Sequence, residues 1–431
     1  MEKEKAQHEG EGLWEWIFSR ENLIAALKRV KRNGGAPGVD GMSVEELPEH
    51  LKVHWSSIRR KLEAGTYQPS PVKRVEISKA GGGVRQLGIP TVLDRLIQQA
   101  MHQVLSPLFE ETFSDHSYGF RPGRSAHDAV RAAQKHVEEG YQWVVDIDLE
   151  RFFDTVNHDR LMARMKSVVK DKRILRLVNA YLKAGVMVSG VVIETVEGTP
   201  QGGPLSPLLS NIVLTELDRK LEERGHRFVR YADDCNIYVK SERAAKRVMI
   251  STKRFVEEHM RLKVNGAKSA VDLAVRRQFL GFSFYWRRTG GVGIRIAKER
   301  LDRVKCKLRR LTRRSQGRSI EDIRDELNLL IRGWVNYFAL ADAKGHIQRL
   351  DQWVRRRLRQ VLWKQWKTPA NRYRNLRARG VSEYWATRAA GTSKGVWRLS
   401  ASPPLHRALN NAYWRQLGLE SFLQCYQLRH T

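Results

Sequence analysis

The sequence predicts an α+β fold whose strands lie in the first two thirds of the chain and whose last third is helical. Two short runs, 228–231 and 235–239, alternate in polarity on either side of Asp233 and Asp234, which is typical of a β-hairpin. Apolar residues recur at helical spacing from Leu93 to Leu108 and again along 301–338. With 431 residues, 41% of them hydrophobic, the chain can bury the cores of roughly two to four structural units.

The net charge is the most unusual feature of the composition. Lys and Arg number 78 against 47 Asp and Glu, which gives a charge of +31 at pH 7 and a pI near 10.3. A chain with this charge should bind a polyanion. Nucleic acid is favoured over a membrane surface, because no apolar run approaches the length of a spanning helix.

Cysteine usage and the N-terminus indicate the cellular compartment. Cys235, Cys306 and Cys425 are far apart and form no Cys-x-x-Cys pair, so neither a zinc module nor a disulfide framework is indicated. Met1–Lys5 carries acids and no apolar core, unlike a signal peptide. We therefore expect a reducing cytoplasm, no bound zinc and no membrane partner.

A glycine-rich loop interrupts the helical pattern near the N-terminus, over Asn33–Gly41. The backbone at Gly34 and Gly35 could approach phosphates closely, because glycine has no side chain to obstruct them. An ordinary loop between two helices explains the same residues equally well.

Residues 71–90 change to strand patterning around a turn of three glycines at 81–83. Lys79 and Arg85 bracket this turn, and a flexible glycine tip would let both cations converge on a triphosphate. Taken singly, each is better explained as a solvated surface charge.

A compact loop at 118–125 contains an aromatic residue and the two arginines Arg121 and Arg124. Such a loop suits the sugar-phosphate backbone of a nucleic acid. The alternative is a capped helix start.

Acidic residues follow two of the predicted strands. A strand at 143–147 would deliver Asp146 or Asp148 at its carboxyl end, and Asp233 and Asp234 lie at the hairpin tip. Carboxylate oxygens are the ligands that Mg²⁺ prefers, so three such acids predict a magnesium site. Two ions could activate a 3′-hydroxyl and stabilise a leaving pyrophosphate. Ion pairs with some of the many arginines are the alternative.

Two further segments carry weaker signals. Gln201 lies at the tip of a glycine- and proline-rich turn, where its amide could hydrogen-bond a base or sugar without adding charge. In the last third, 301–380 contains 22 Lys and Arg against 7 Asp and Glu, a density that suits phosphate contacts and predicts steeply salt-dependent binding.

With these motifs in hand, the chain resembles the bacterial group II intron-encoded reverse transcriptases and maturases, in the compact class without a C-terminal endonuclease. The resemblance covers nearly the whole length. Six motifs occur in family order: IPTVLDRLIQQA, SYGFRPGRSAHDA, DIDLERFFDTVNHD, GTPQGGPLSPLLSNI, RYADDCNIY and FLGF.

The resemblance implies a right-hand polymerase fold, with an antiparallel palm sheet and a helical C-terminal thumb and maturase region. It divides the chain into an N-terminal extension that touches template at 1–65, fingers and palm at 66–295, a thumb and maturase domain at 296–385, and a basic nucleic-acid-binding segment at 386–431.

The resemblance also implies roles for individual residues. Asp148, Asp233 and Asp234 would be catalytic and, with the Leu149 carbonyl, would hold two Mg²⁺ ions, for which Mn²⁺ can substitute. The nucleotide would be contacted by Lys79, Arg85, Phe153, Gln201 and Lys268, with Phe153 excluding a ribose 2′-hydroxyl. Primer and template would be contacted by Gly34, Gly35, Arg121, Arg124, Tyr231 and Gly281. Intron RNA would be contacted by Arg332, Arg355, Arg356, Arg357 and Arg359.

These expectations describe an RNA-directed DNA polymerase of the bacterial cytoplasm that uses deoxynucleoside triphosphates and an RNA template with a DNA or RNA primer. Its own group II intron RNA and a target DNA would be partners in splicing and retrohoming. Three alternatives stay open: an RNA-binding splicing factor with secondary polymerase activity, a free-standing reverse transcriptase acting in DNA repair, and an RNA-making polymerase, against which Phe153 speaks.

Overall fold

A computed structural model describes residues 12–78, 84–188, 191–193 and 202–429 of the chain. The described residues up to Leu273 form one compact unit, and those from Ala274 onward form a second. The finer division predicted at 65, 295 and 385 stays a prediction.

The first unit combines helices with two sheets. Its strands are β1 (Val72–Ser78), β2 (Val84–Ile89), β3 (Trp143–Ile147), β4 (Val186–Val188), β5 (Val191–Ile193), β6 (Arg227–Tyr231), β7 (Asp234–Val239) and β8 (Ala270–Leu273). Its helices are α1 (Leu13–Ile17), α2 (Arg20–Asn33), α3 (Leu47–Glu63), α4 (Val92–Glu110), α5 (Ala126–Glu138), α6 (Phe152–Thr155), α7 (His158–Val168), α8 (Lys172–Lys183), α9 (Ser206–Glu223) and α10 (Glu242–Arg254). A π-helical turn at Phe255–His259 continues α10.

The sheet that carries the predicted acids has the strand order β6-β7-β3-β8, and every neighbouring pair in it is antiparallel. Strands β6 and β7 are buried on both faces along most of their length. The physical reason is that helix α5 packs against β6 and helix α10 against β3 and β7.

The other sheet of this unit has the order β2-β1-β4-β5. Strands β1 and β2 form the antiparallel hairpin that the sequence predicted. A parallel pair, in which Val72 lies opposite Val186, joins β1 to β4.

Helix α4 is the central helix of the first unit's core. Its N-terminus is capped by Thr91, whose hydroxyl accepts a hydrogen bond from the Asp94 amide at 3.1 Å. The predicted apolar stripe is buried, including Leu96, Ile97, Ala100, Met101, Val104 and Leu105. The buried stripe makes α4 part of the hydrophobic core of the first unit.

The second unit is mainly helical. A three-stranded sheet of order β11-β10-β9 consists of β9 (Gln278–Phe279), β10 (Phe282–Trp286) and β11 (Val292–Ile296). Nine helices follow among the described residues: α11 (Lys298–Leu311), α12 (Ile320–Phe338), α13 (Lys344–Gln365), α14 (Pro369–Arg377), α15 (Glu383–Ala390), α16 (Val396–Leu399), α17 (Pro403–Ala408), α18 (Asn411–Gln416) and α19 (Phe422–Gln427).

The predicted α+β class, with an antiparallel sheet carrying the acids and a helical C-terminal region, is confirmed. In the part of the chain that the structure describes, no helix has both the length and the apolar character needed to cross a bilayer.

Candidate active site

The predicted hairpin forms, and its tip is a tight turn. Tyr231 lies opposite Asp234 across β6 and β7, so only Ala232 and Asp233 form the connection. The φ angle of Ala232 is +56°, in the left-handed region that a residue with a side chain rarely adopts. This conformation costs about 1–2 kcal/mol, so surrounding contacts must hold it in place.

Arg230 supplies the first of these contacts. Its side chain is fully buried and pairs with Asp218, Nε donating at 2.7 Å to one carboxylate oxygen and Nη2 at 2.6 Å to the other. Its Nη1 donates to the Ala232 carbonyl at 2.9 Å and to Oδ1 of Asn211 at 3.0 Å. Arg230 therefore fixes the backbone immediately before Asp233.

Gly119 supplies the second contact. Its carbonyl accepts a hydrogen bond from Nδ2 of Asn211 at 2.9 Å. A Cβ atom at position 119 would lie 2.3 Å from the Ala232 nitrogen, so only glycine fits against this turn. The 118–125 loop and the acidic turn are thus packed backbone to backbone.

Strand β3 brings the remaining acids beside the turn. Asp146 lies opposite Asn236, and Ile147 lies opposite Cys235. Because side chains alternate between the faces of a sheet, Asp146 and Asp234 belong to one face, and Asp148 continues that face one residue beyond the strand.

The charges of these acids influence one another. Asp234 is exposed, but partial desolvation of its carboxylate, together with the charges of Asp233, Asp146 and Asp148, raises its pKa to about 7. Lys268 opposes the shift. A cluster whose members hinder each other's ionisation favours a bound cation.

Asp148 already has a cationic partner. Nζ of Lys268 donates to its two carboxylate oxygens at 3.2 and 3.1 Å. Its backbone amide donates at 3.0 Å to the Ser269 hydroxyl, which donates back to the Asp148 carbonyl at 3.3 Å. The Lys268–Asp148 ion pair satisfies one of the predicted metal ligands.

The acids fit a divalent cation in their chemistry, since all are hard oxygen donors on neighbouring strand ends and their repulsion contributes to the raised pKa of Asp234. Within the described residues, however, no three His, Cys, Asp or Glu side chains are drawn together closely enough to form a completed metal site. Asp148 would have to exchange Lys268 for a metal ion.

Leu149 is positioned by a short bridge to Val264. This bridge consists of bonds from the Asn265 amide to the Asp148 carbonyl and from the Glu150 amide to the Lys263 carbonyl, both 2.8 Å long. The Leu149 carbonyl, predicted as a metal ligand, takes no part in that bridge.

Two aromatic residues flank the acids. Phe153 is half-buried on α6, with its ring 5.3 Å from that of Phe152 in an edge-on arrangement. Tyr231 is half-buried, with its ring 6.3 Å from that of Phe120. Phe120, from the 118–125 loop, is 54% exposed and its φ angle is +58°, so an exposed aromatic residue lies beside the hairpin.

Three of the predicted nucleotide contacts cannot be located. Lys79 and Gln201 lie outside the described residues. Arg85 lies in β2 opposite Ile77, but its side chain is also outside the described part. Their roles stay predictions.

The glycine-rich loop is fastened to α4. Arg95 donates to the Gly34 carbonyl at 3.2 Å and to the Ala36 carbonyl at 2.6 Å. Gly34 and Gly35 have φ angles of +60° and +105°, which explains the glycines by backbone conformation. Their contact with a template stays a prediction.

Arg121 has an internal role instead of the predicted contact with nucleic acid. Its guanidinium is buried and is bonded to Glu110 at 2.7 Å and to the carbonyls of Ser114 and Ser117. A direct contact with a phosphate backbone is not supported, because its donors are used inside the protein. Arg124 is more accessible, although it pairs with Asp115 at 2.6 Å.

Gly281 lies in the second unit, in the turn between β9 and β10, with a φ angle of +86°. An added Cβ would lie 2.9 Å from Nε of Arg300. Its predicted contact with a primer stays a prediction.

The arginines predicted to contact intron RNA are largely engaged within the second unit. Arg359 is buried and donates to the Ser400 carbonyl at 2.8 Å, and burial lowers its pKa to about 10. Arg356 lies 4.0 Å above the Trp397 ring, and Arg357 donates to the Thr312 hydroxyl at 2.5 Å. These three hold helices together, which does not support a direct role in RNA binding.

The two other arginines of that set are also paired. Arg332 forms an ion pair with Glu420, and Arg355 lies 3.9 Å from Asp351. Arg332 is 60% exposed at its side chain, so it is the member of the set best able to reach a ligand.

A different group of cations surrounds a cavity of about 870 Å³ in the second unit, and we call it the basic cavity. Its lining includes six cationic side chains and Glu321: Arg313, Arg314, Arg318, Lys364, Lys367 and Arg372. Nε of Arg372 is buried and has no hydrogen-bond partner among the residues that the structure describes, and its guanidinium lies 4.9 Å from the Trp363 ring. Charge density in the sequence indicated this region but not these residues.

Comparisons with known proteins follow the same division. Residues 77–284 match the family described as reverse transcriptase (RNA-dependent DNA polymerase), in agreement with the predicted right-hand polymerase fold. Residues 301–380 match the family described as group II intron, maturase-specific domain.

Curated relatives are similar over about half of this chain. Protein YkfC of Escherichia coli (strain K12) is 40% identical over 214 residues, which cover 49% of this chain and 55% of that protein. Group II intron-encoded protein LtrA of Lactococcus lactis subsp. cremoris is 38% identical over 215 residues, which cover 48% of this chain and 34% of that protein. The chain thus spans about half or less of the length of these relatives.

Proposed function

The chain belongs to the group II intron reverse transcriptase and maturase family, and on that basis we propose that it is an RNA-directed DNA polymerase that also binds intron RNA. The observation that carries the polymerase activity is the convergence of acids on one edge of the sheet. Asp146 lies in β3 and Asp148 just beyond it, while Asp233 lies in the turn after β6 and Asp234 begins β7. Their mutual repulsion contributes to the raised pKa of Asp234.

In this proposal Asp148, Asp233 and Asp234, with the Leu149 carbonyl, hold two Mg²⁺ ions. When bound, these ions would activate a primer 3′-hydroxyl and stabilise the leaving pyrophosphate. Arg230 and Gly119 keep the Asp233 backbone in position, and Phe153 restricts the space beside the sugar. Lys268 would leave Asp148 and become available to the incoming nucleotide.

Primer extension on an RNA template tests the polymerase activity. Asp148→Asn and Asp233→Asn remove ligand charge with little change of volume, so Mg²⁺-dependent synthesis should fall by about a thousandfold or more, as expected when a group that acts on the transition state is removed. Asp159→Asn removes an equal charge on the exposed start of α7 and should extend normally. Normal extension by Asp233→Asn would refute the assignment.

The proposed RNA contact is the basic cavity. Within the described ranges, six cations and a single acid line it, and the buried Nε of Arg372 at its wall has no hydrogen-bond partner. Cations arranged around a concave surface suit the phosphates of structured RNA, which proteins recognise mainly by shape and backbone.

The salt dependence of RNA binding tests this contact. Lys364→Ala with Lys367→Ala should weaken binding of the intron RNA and reduce the slope of log K against log salt by about 0.7–0.9 for each phosphate that the protein no longer neutralises. Lys246→Ala with Lys253→Ala removes the same charge from α10, where both lysines pair with glutamates, and should leave the slope unchanged. Equal effects of the two double variants would mean that only net charge matters.

Splicing assays separate the two activities. We propose that Asp233→Asn still assists splicing of the intron RNA but loses DNA synthesis, because the acids and the basic cavity share no residue. Target DNA binding, retrohoming and the fourfold division at 65, 295 and 385 are parts of the same proposal.

A further inference from the structure

A second cavity, of about 550 Å³, lies in the first unit among α7, α9 and the end of α10, and we call it the helix cavity. Cations from all three helices line it: Arg164, Arg219, Lys220, Arg224 and Arg254. None of its lining residues is one of the candidate catalytic acids or a partner of those acids, so the proposed polymerase activity does not explain it.

The acids that line the helix cavity are already engaged. Glu216 accepts from Arg164, from Arg160 at 3.3 Å and from Nε2 of His259 at 2.8 Å. Glu223 pairs with Lys220 at 2.8 Å. The third acid, Glu258, lies 4.0 Å from Arg254.

Two guanidinium groups remain for a ligand. Across the described ranges, neither Arg219 nor Arg224 has a carboxylate within ion-pair distance, and Arg224 donates only to the Ser251 hydroxyl at 3.3 Å. Burial and the positive charges of Arg160 and Arg219 lower the pKa of Arg164, against the effect of Glu216. Arg219 and Arg224 are exposed at the rim of this concave space. Several cations crowded around it favour an anion, and the arginine fork matches the geometry of phosphate.

An aromatic pair forms part of the same wall. The rings of Phe255 and His259 are stacked, with centroids 5.0 Å apart and planes inclined by 23°. Both residues belong to the π-helical turn that continues α10, a rare conformation that often occurs at functional sites. A flat aromatic surface beside arginines can accept a nucleobase as well as its phosphate.

We propose that the helix cavity binds a phosphate-bearing nucleotide unit, with Arg219 and Arg224 on the phosphate and the Phe255–His259 pair beside the base. Its size suits a single nucleotide. Two sources present this chemistry, a free nucleoside triphosphate and one nucleotide of an RNA strand. The inference is independent of the proposed polymerase activity.

Photo-crosslinking to the full-length protein tests this site separately from the other basic surfaces. The probes are 8-azidoadenosine triphosphate and a short RNA carrying 4-thiouridine, and the crosslinked peptides are mapped by mass spectrometry. At least one probe should crosslink within 219–224 or 251–259. Arg219→Ala with Arg224→Ala should raise the half-saturating probe concentration for these peptides by about tenfold or more. The reason is that each lost charge-assisted hydrogen bond reduces the binding free energy of the probe.

The matched control is Arg243→Ala with Arg247→Ala, which removes the same charge from exposed positions of α10 outside the cavity. This variant should crosslink like the wild type, and Arg219→Lys with Arg224→Lys should recover part of the affinity. Crosslinking by the triphosphate alone or by the RNA alone would support the proposal and identify the source. No crosslink in either segment, or equal reductions in the two alanine double variants, would overturn it.

Discussion

Arg230 and Asp218 form an ion pair that is completely buried behind the turn carrying Asp233 and Asp234. The pair connects strand β6 to helix α9, and the remaining guanidinium nitrogen holds the Ala232 carbonyl. The candidate active site thus depends on a charge pair that neither solvent nor a substrate can reach.

Removing one partner of this pair should be costly. Asp218→Asn leaves a buried guanidinium without its counter-charge, which typically lowers the free energy of unfolding by about 3–5 kcal/mol. Urea denaturation measures the decrease. Glu242→Gln breaks the exposed ion pair with Lys246 and should cost less than about 1 kcal/mol. Similar decreases in both variants would contradict the structural role of Arg230.

The close approach of Gly119 to Ala232 predicts a second sensitive position. In Gly119→Ala the new Cβ would overlap the Ala232 backbone, so we expect the protein to be destabilised by about 1–3 kcal/mol from overpacking and DNA synthesis to be reduced. Thermal denaturation and primer extension measure the two effects. Gly266→Ala places its Cβ in open space and should change neither, and unchanged synthesis in Gly119→Ala would show that the turn tolerates displacement.

Lys268 should compete with a divalent cation for Asp148, because its ammonium contacts both carboxylate oxygens. Without nucleic acid or nucleotide, Lys268→Ala should bind Mn²⁺ about tenfold more tightly, the equivalent of one charge-assisted hydrogen bond. Electron paramagnetic resonance of free Mn²⁺ measures the affinity. Lys263→Ala removes another exposed cation, for which the described residues show no ion pair with Asp148, and serves as the control. Unaltered or weaker Mn²⁺ binding in Lys268→Ala would argue against competition.

His102 should make the first unit sensitive to acid. Burial on α4, with a smaller effect of Arg29, lowers its pKa to about 4, whereas an unfolded histidine titrates near 6.5. Between these values the unfolded chain binds the proton and the folded chain does not, so stability decreases as the pH falls from about 6.5 toward 4.

The histidine effect can be isolated with a variant. Between pH 7 and pH 5, the wild type should lose about 1–2 kcal/mol more than His102→Gln in urea denaturation. His54→Gln changes an exposed histidine and should retain the wild-type pH dependence. If His102→Gln also retains it, His102 is not the group responsible.

The hairpin and the acidic strand could be predicted from the sequence because their signals are local. Period-two patterning marks β6 and β7, a short apolar run marks β3, and the acids lie at or directly after these runs. Which acids share a face depends on strand register, and the pairing of Asp146 with Asn236 could not be inferred from the pattern alone.

The partners of buried arginines could not be predicted in the same way. An arginine between apolar neighbours, such as Arg230 between Val229 and Tyr231, signals a buried counter-charge but does not identify Asp218 as that partner. The cluster at 355–359 occupies several faces of α13, so some of its members must turn toward other helices. Composition gives the charge of these residues but not the direction in which each side chain points. It could not predict that Arg359 is internal while Lys364 and Lys367 line the basic cavity.

The strand order β6-β7-β3-β8 has a consequence for synthesis on the ribosome. Strand β3 emerges first, but both of its neighbours are encoded downstream, β7 by 234–239 and β8 by 270–273. Until translation has passed Leu273, the nascent polypeptide exposes hydrophobic strand edges that can pair with other chains. Premature termination in this interval should therefore yield fragments that aggregate.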